Sequence, residues 1–216
     1  MQYLRLFAML VGLFFEPSVL AQNVEIPDVG KGEGFEKIGP AQPTQDQTKV
    51  EVIEFFWYGC PHCYSFEPIL DEWLKNLPEN VDFIRQPAIF SASWEAGARA
   101  FFIAEALGIT DQVHAAIFDT LQKERKPLDT EDQMKQFFMA HGVSEEDFNQ
   151  NYNSFFVQTR MGQAESMPAR YGVTGVPAII INGKYRTNGT LAKSHAGIIA
   201  VMNALIEQEA KKLGTP

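Results

Sequence analysis

The only two cysteines in this chain of 216 residues, Cys60 and Cys63, stand two residues apart. A pair at this spacing can exchange a disulfide, ligate a metal or staple the fold. As a staple it stabilises little, because the chain-entropy model gives roughly 2 kcal/mol for a loop of about four residues, against about 4.7 kcal/mol for about a hundred. The spacing therefore favours a reversible redox pair over a structural bridge.

Metal and haem sites need partners that the sequence does not supply near the pair. Zinc takes about four ligands, but there is no second cysteine pair, and the only nearby histidine, His62, stands between the two cysteines. A c-type haem site requires histidine directly after the second cysteine, where this chain has Tyr64. We therefore expect no metal and no cofactor.

The residues around the pair give the two sulfurs different roles. If a helix begins at Cys60, its thiolate lies beside unpaired backbone N–H groups and the positive end of the helix dipole, which lower its pKa. Pro61 suits the first helical turn, and His62 adds a neighbour that can carry positive charge. Cys63, one turn further on, should be more buried and act as the resolving cysteine. A stabilised Cys60 thiolate favours the reduced dithiol, so the disulfide should be passed to substrate thiols.

The pattern around the pair predicts a strand, a helix and a second strand. Residues 50–58 are β-branched and aromatic, as is typical of a buried strand, and residues 81–86 predict another short strand. Between them, apolar residues recur at helical spacing until Pro78. Elements of this length form a βαβ unit, so the two strands should be parallel neighbours.

Residues 93–171 are helical in pattern almost throughout. Five helices are predicted, and the residues at their starts are Ser93, Asp111, Thr130, Ser144 and Ser154.

After residue 175 the pattern returns to sheet. Residues 178–181 and 184–187 are predicted strands joined by the turn signal Asn182-Gly183, and a last helix starts near Leu191 with Thr190 as its cap. The predicted fold class is α/β. Residues 47–90 and 172–216 form a thioredoxin-like domain, βαβ … ββα, and residues 91–171 are an inserted all-helical domain. Residues 22–46 are a lead-in segment that contributes an edge strand at 35–38.

The first residues predict export. Arg5, an apolar run over residues 6–15 and small residues up to Ala21 are typical of a secretory signal, so residues 1–21 should be cleaved off. The run is too short for a membrane anchor. The net charge of −9 argues against nucleic acid or anionic lipid as a partner. Disulfides persist outside the cytosol, which suits a redox pair.

Two stretches of the sequence form a recognisable combination. The first is Val52-Ile53-Glu54-Phe55-Phe56 leading into Cys60-Pro61-His62-Cys63-Tyr64, with Phe66-Glu67 behind it. The second is Gly175-Val176-Pro177, followed by Ala178 and by Asn182-Gly183-Lys184-Tyr185. With the helical block between them, they resemble the DsbA family of periplasmic thiol:disulfide oxidoreductases from residue 47 to the C-terminal helix. DsbA proteins are standard examples of a depressed cysteine pKa and an oxidising disulfide. The resemblance therefore agrees with transfer of the disulfide to substrate thiols but is not independent support for it.

The resemblance implies roles for particular residues. Pro177 would be the family's cis-proline, facing the cysteine pair, and the backbone of Val176 would pair with an extended client peptide. By the resemblance, Glu54 would be the family's buried acid beneath the site. The alternative is that successive side chains of its strand alternate between core and solvent and that Glu54 faces solvent. The resemblance also implies reoxidation by a DsbB-type membrane partner that passes electrons to quinone.

We therefore predict a monomeric periplasmic dithiol–disulfide oxidoreductase. It would donate the Cys60–Cys63 disulfide to newly exported proteins through a mixed disulfide. Two alternatives stay open: a disulfide isomerase or reductase on the same scaffold, and a chaperone-like binder of unfolded chains whose cysteines are incidental.

Aromatic residues flank the pair, and they are either core residues or an apolar rim for unfolded clients. They are Trp57, Tyr58, Tyr64 and Phe66. The remaining histidines stand alone in helical segments and receive no role: His114, His141 and His195.

Overall fold

The computed structural model describes residues 26–214. The predicted signal peptide, residues 1–21, lies outside the described residues. Five strands form one mixed sheet: Glu36–Lys37 (β1), Val50–Phe56 (β2), Val81–Pro87 (β3), Ala178–Ile181 (β4) and Tyr185–Asn188 (β5). Their order across the sheet is β1-β5-β4-β2-β3.

Seven α-helices accompany the sheet in this part of the chain. They are Pro61–Leu74 (α1), Ala92–Ala106 (α2), Thr110–Gln122 (α3), Glu131–Ala140 (α4), Glu145–Tyr152 (α5), Phe155–Arg170 (α6) and His195–Leu213 (α7). Helices α2 to α6 follow one another between β3 and β4, as the sequence predicts. None of the described helices combines the length and the apolar composition that a membrane span requires.

Strand β2 lies inside the sheet, between β4 and β3, and all of its residues are buried. It pairs in parallel with β3 and antiparallel with β4, which confirms the predicted βαβ unit. The strand ends at Phe56, two residues earlier than predicted. The chain leaves the sheet there in a turn, in which the N–H of Cys60 donates to the carbonyl of Trp57 at 2.9 Å. The carboxyl end of β2 therefore delivers the cysteine pair to one edge of the core.

A helix cap is a hydrogen bond between residues that are close in the chain, and most caps were predicted at the right residue. Three predicted caps are confirmed, because each hydroxyl accepts the backbone N–H three residues further on: Thr130, Ser144 and Ser154. The first helix of the block is capped at Ser91, two residues before the predicted Ser93, and α3 begins one residue before Asp111.

The last helix begins later than predicted. It starts at His195, and its cap is Ser194, whose hydroxyl accepts the N–H of Gly197 at 2.9 Å. The predicted cap, Thr190, is wrong. The side-chain oxygen of Asn188 accepts the backbone N–H of Thr190 at 3.0 Å and holds this stretch as a turn.

Two packed regions meet at the cysteine pair. Helices α1 and α7 bury their apolar faces against β2, β4 and β5. A separate cluster of buried side chains runs from the helical block, with Phe101 and Phe118, to Phe56, Tyr58 and Cys63. The site therefore lies at the seam between the sheet and the helical block, so both parts fix its geometry.

Candidate redox site

Cys60 is the N-cap of α1, as the sequence predicts. Its backbone is extended, with φ −88° and ψ 115°, and its sulfur accepts the backbone N–H of Cys63 at 3.4 Å. Pro61 occupies the first helical position, where its missing N–H costs nothing. Both cysteines are free thiols here, so the structure describes the dithiol form of the pair.

A second loop, far away in sequence, forms the opposite wall of the site. The Cys60 Sγ lies 3.5 Å from the carbonyl oxygen of Val176, to which the sulfur donates only while it is protonated. The Val176–Pro177 peptide bond is cis, and β4 begins directly after it. The structure therefore brings the two cysteines together with Val176 and Pro177, which the sequence could relate only through a resemblance.

The two sulfurs have opposite ionisation tendencies. The pKa of Cys60 is lowered to about 6, most strongly by the hydrogen bond from the Cys63 side chain, then by the backbone N–H groups of Cys63 and His62, with a smaller effect from the charge of His62. Burial opposes this shift. The pKa of Cys63 is raised, first because its thiol is buried and then because it donates to Cys60. At neutral pH the site therefore holds one thiolate and one thiol.

A cleft of about 580 Å³ opens beside the pair. His62 lines it from α1, and Val176 and Pro177 line it from the opposite loop. The segment between β5 and α7 closes it with Lys193 and His195. The cleft therefore presents residues 176–177 on one side and ionisable side chains on the other.

Glu54 lies beneath the pair and is fully buried, which decides between the two alternatives left open for it. Its carboxylate is 3.5 Å from Nε of Arg85, its neighbour on β3. Burial raises the pKa of Glu54 well above its usual value, and the nearby charge of Glu67 raises it further, while Arg85 opposes both. Glu54 is therefore harder to ionise than an exposed glutamate, and it belongs to a small buried cluster of ionisable groups.

The same cluster reaches the helical block through His114. Its Nδ1 lies 2.7 Å from the Tyr58 hydroxyl, and its Nε2 lies 3.3 Å from Glu67 Oε2. Burial lowers the pKa of His114, which favours the neutral ring. With the ring proton on Nε2, the hydroxyl of Tyr58 can donate to Nδ1.

Helix α3 holds the cysteine loop by two further contacts. Gln122 donates its side-chain N–H to the carbonyl of Tyr58 at 2.8 Å, and the hydroxyl of Tyr64 donates to Asp119 at 2.6 Å. Tyr58 and Tyr64 stand on either side of the cysteine pair. The helical block therefore fixes the loop from both ends.

The aromatic residues around the pair differ in how far they are buried. Tyr58 and Phe66 are buried and belong to the core. Tyr64 and Trp57 are half-buried. Trp57 stacks on Trp94 with ring centroids 4.2 Å apart and an interplanar angle of 4°.

Comparison with known proteins covers nearly the whole chain. Residues 78–194 match the family model of the DSBA-like thioredoxin domain. The chain is 38% identical over 210 residues to the thiol:disulfide interchange protein DsbA of Azotobacter vinelandii, a match that covers 97% of this chain and 98% of that one. It is 36% identical over 192 residues to DsbA of Pseudomonas aeruginosa, covering 89% and 91%. The crystal structure of Pseudomonas aeruginosa DsbA superposes with a TM-score of 0.81 and 37% identity, over 85% of this chain and 96% of that one. The chain belongs to the DsbA family.

Membership of the DsbA family makes this protein a thiol:disulfide oxidoreductase with a thioredoxin-like fold. The family model begins after the cysteine pair, so it is the full-length relatives that bring Cys60 and Cys63 into the match. In this DsbA-family chain the buried ring of His114 and the guanidinium of Arg85 are the polar groups that sequence reasoning missed. Their partners lie 56 and 18 residues away, so no local pattern indicated them.

Proposed function

We propose that this protein is a periplasmic oxidase that donates the Cys60–Cys63 disulfide to newly exported proteins. The observation that carries the proposal is the contrast between the sulfurs: the pKa of Cys60 is about 6, whereas that of buried Cys63 is raised. A stable Cys60 thiolate favours the reduced protein and so makes its disulfide a better oxidant.

The reaction proceeds in two thiol–disulfide exchanges. A client thiolate attacks Cys60 Sγ, the Cys60–Cys63 bond breaks, and Cys63 leaves and takes up a proton. A second client thiolate then attacks the client sulfur of the mixed disulfide, and Cys60 leaves as a thiolate. The client gains one disulfide, and the two electrons it loses reduce the protein to the dithiol.

The opposite wall of the cleft suits an extended client. The carbonyl of Val176 already accepts a hydrogen bond from the Cys60 thiol in the dithiol form. We propose that the backbone of Val176 pairs with the client chain beside its cysteine, which provides affinity without reading side chains. Pro177 keeps this segment turned towards the pair, and His62 stabilises the thiolate from α1.

Glu54 is proposed as a supporting residue below the pair. Its carboxyl is buried and its pKa is raised by that burial, which reduces the negative charge that it places near Cys63. A charged acid there would oppose ionisation of the sulfurs.

The domain organisation follows the order of the elements. We propose a signal peptide at residues 1–21 that is removed on export, a lead-in segment at 22–46, and a thioredoxin-like domain made of 47–90 and 172–216. Residues 91–171 form the inserted helical domain. The support is that helices α2 to α6 follow one another without an intervening strand.

Membership of the family also suggests how the protein is used. We propose that it acts as a monomer, without a cofactor, and that a DsbB-type membrane protein reoxidises Cys60–Cys63 and passes the electrons to quinone. The client would then meet the disulfide form of the protein, and the reoxidising partner would meet the dithiol form at the same surface.

Two substitutions test the roles of the sulfurs. Cys60→Ser should abolish oxidation of a reduced two-cysteine peptide. In Cys63→Ala, Cys60 can still attack a client disulfide, and the mixed disulfide should accumulate because no Cys63 thiol remains to release it. A fully active Cys63→Ala enzyme would refute the mechanism.

Equilibration with glutathione separates the oxidase from its rivals. An oxidase should be far more oxidising than thioredoxin, whose potential is about −270 mV. A potential near that value would instead favour a reductase or isomerase. Suppression of client aggregation by a protein that lacks both cysteines would favour a chaperone-like binder.

A further inference from the structure

The chain enters the cysteine pair through a tight turn over residues 57–60. The N–H of Cys60 donates to the carbonyl of Trp57 at 2.9 Å, so Tyr58 and Gly59 are the two central residues of a β-turn. That hydrogen bond joins the ends of the turn and does not involve the peptide group between its central residues. The orientation of the Tyr58–Gly59 peptide therefore depends on a contact from outside the turn.

Gly59 makes this peptide group easy to rotate. Type I and type II turns differ by rotation of the central peptide, and type II needs a left-handed φ at the third residue, which glycine adopts without steric cost. Glycine is required here for another reason, since a Cβ at 59 would lie 2.2 Å from the ring of Trp57. In this structure Gly59 does not have a left-handed φ. The turn is therefore held in one of two orientations that its glycine allows.

The contact that holds the peptide comes from α3. The side-chain amide of Gln122 donates to the carbonyl of Tyr58 at 2.8 Å, and this carbonyl belongs to the central peptide of the turn. Rotation of the peptide would point the oxygen away from Gln122 and break the hydrogen bond. The side chain of Tyr58 is fixed separately, because it is buried and its hydroxyl lies 2.7 Å from His114 Nδ1. Gln122 therefore selects the orientation of the backbone.

The turn matters to the reaction because Cys60 follows it directly. The sulfur of Cys60 accepts the N–H of Cys63 at 3.4 Å, a contact that depends on the extended backbone of Cys60. We propose that Gln122 is a positioning residue for thiol–disulfide exchange, which fixes the Tyr58–Gly59 peptide and thereby presents Cys60 at the start of α1. The inference concerns the exchange itself, so it holds whichever way the disulfide is transferred.

Isotope labels report the orientation of the peptide directly. The chain contains two Tyr-Gly pairs, Tyr58-Gly59 and Tyr171-Gly172. Labels at the carbonyl carbon of tyrosine and at the nitrogen of glycine therefore give two peaks in a carbonyl–amide NMR correlation spectrum. Gln122→Met keeps the approximate length of the side chain and removes its donor. In this variant the Gly59 peak should shift or broaden, and the Gly172 peak should stay in place as the internal reference.

The same substitution should slow the reaction of Cys60. A neutral hydrogen bond shifts an equilibrium by about 2-fold to 10-fold, so its loss leaves the turn divided between two orientations. We expect the Gln122→Met dithiol to react about 2-fold to 5-fold more slowly with dithiodipyridine, a small neutral disulfide, at neutral pH. The pKa of Cys60 should rise by at most about one unit, because the hydrogen bonds to its sulfur depend on its orientation.

Two matched variants locate the effect. Gln122→Lys retains an N–H donor on a side chain of similar length, so its Gly59 peak and its rate should stay close to those of the unmodified protein. Gln112→Met is the control on α3, since it makes the same substitution at an exposed residue about 15 Å earlier along the helix. It should change neither the peak nor the rate.

Each outcome decides for or against the positioning role. An unmoved Gly59 peak in Gln122→Met overturns it, and so does a moved peak with an unchanged rate. A Gln122→Met protein that has lost its fold in urea titrations would show a structural role instead. Equal losses in Gln122→Met and Gln122→Lys would remove the donor as the cause, and an equal loss in Gln112→Met would make the effect unspecific. All of these results would leave Cys60 and Cys63 as the exchanging pair.

Discussion

The reduction potential of the cysteine pair should change its pH dependence near pH 6. The structure lowers the pKa of Cys60 to about 6 and raises that of Cys63. Below about pH 6, reduction of the disulfide takes up two protons, and above it only one, because Cys60 remains a thiolate. For a two-electron couple each proton contributes about 30 mV per pH unit. The slope of the reduction potential against pH should therefore fall from about 59 mV per pH unit below about pH 6 to about 30 mV per pH unit above it.

The sign follows from the direction of the pKa shift. Cys60 has a lower pKa in the folded dithiol, about 6, than its ordinary value of 9.0. Its ionisation therefore stabilises the reduced protein fully above about pH 9, and this contribution disappears as the pH falls through about 6. At pH 7 it amounts to at most about 1.4 kcal/mol, or about 30 mV, and screening by water at the mouth of the cleft reduces it.

The assay is equilibration with glutathione buffers between about pH 5 and about pH 8, with the fraction of dithiol read by alkylation and mass spectrometry. Thiolate absorbance gives the pKa of Cys60 independently. In Cys63→Ala the pKa of Cys60 should rise towards 9.0, because the substitution removes the hydrogen bond that contributes most to lowering it.

Two results would refute this reasoning. One is a single slope of about 59 mV per pH unit across the whole range, which would mean that Cys60 stays protonated in the dithiol form. The other is a Cys60 titration that does not move in Cys63→Ala, which would remove Cys63 as the cause of the depressed pKa.

Three further substitutions test the framework around the site. Glu209 is buried, and its pKa is lowered to about 2 by hydrogen bonds from lysine and asparagine side chains that outweigh its burial. The ionised Glu209 therefore stabilises the fold fully above about pH 4.5, and this stabilisation is lost as the pH falls towards 2. Glu209→Gln should lower the free energy of unfolding in urea by about 2 kcal/mol at pH 7 and by much less at pH 3. His114→Phe leaves the buried hydroxyl of Tyr58 without its partner and should cost about 2 kcal/mol in the same assay, whereas exposed His141→Gln should cost less than about 0.5 kcal/mol. Equal losses would contradict the assigned contact. Gly59→Ala would place a Cβ 2.2 Å from the Trp57 ring, so near-UV circular dichroism should show loss of the tryptophan stacking, while Gly189→Ala, with no atom within 4 Å, should leave it intact.

Much of the fold was predictable because its signals are local. A hydroxyl at Thr130 or Ser154 caps a helix through a backbone N–H only three residues away, and the β-branched and aromatic composition of β2 is visible in the sequence. The placement of Cys60 at a helix start is equally local, since Pro61 follows it. The cap at Ser194 was missed because two hydroxyls stand near the helix start, and Asn188 holds Thr190 in the preceding turn.

The sequence by itself determined the redox chemistry: two cysteines at this spacing, at the start of a helix, with Cys60 as the more ionised sulfur. Only the tertiary structure decided what surrounds them. The carbonyl of Val176 reaches Cys60 across 116 residues, and His114 meets Tyr58 across 56. Burial of Glu54 was undecided until its strand was placed between two others. These contacts depend on strand register and on how the helical block packs, and both are set by burial of the whole core and not by neighbours in the chain.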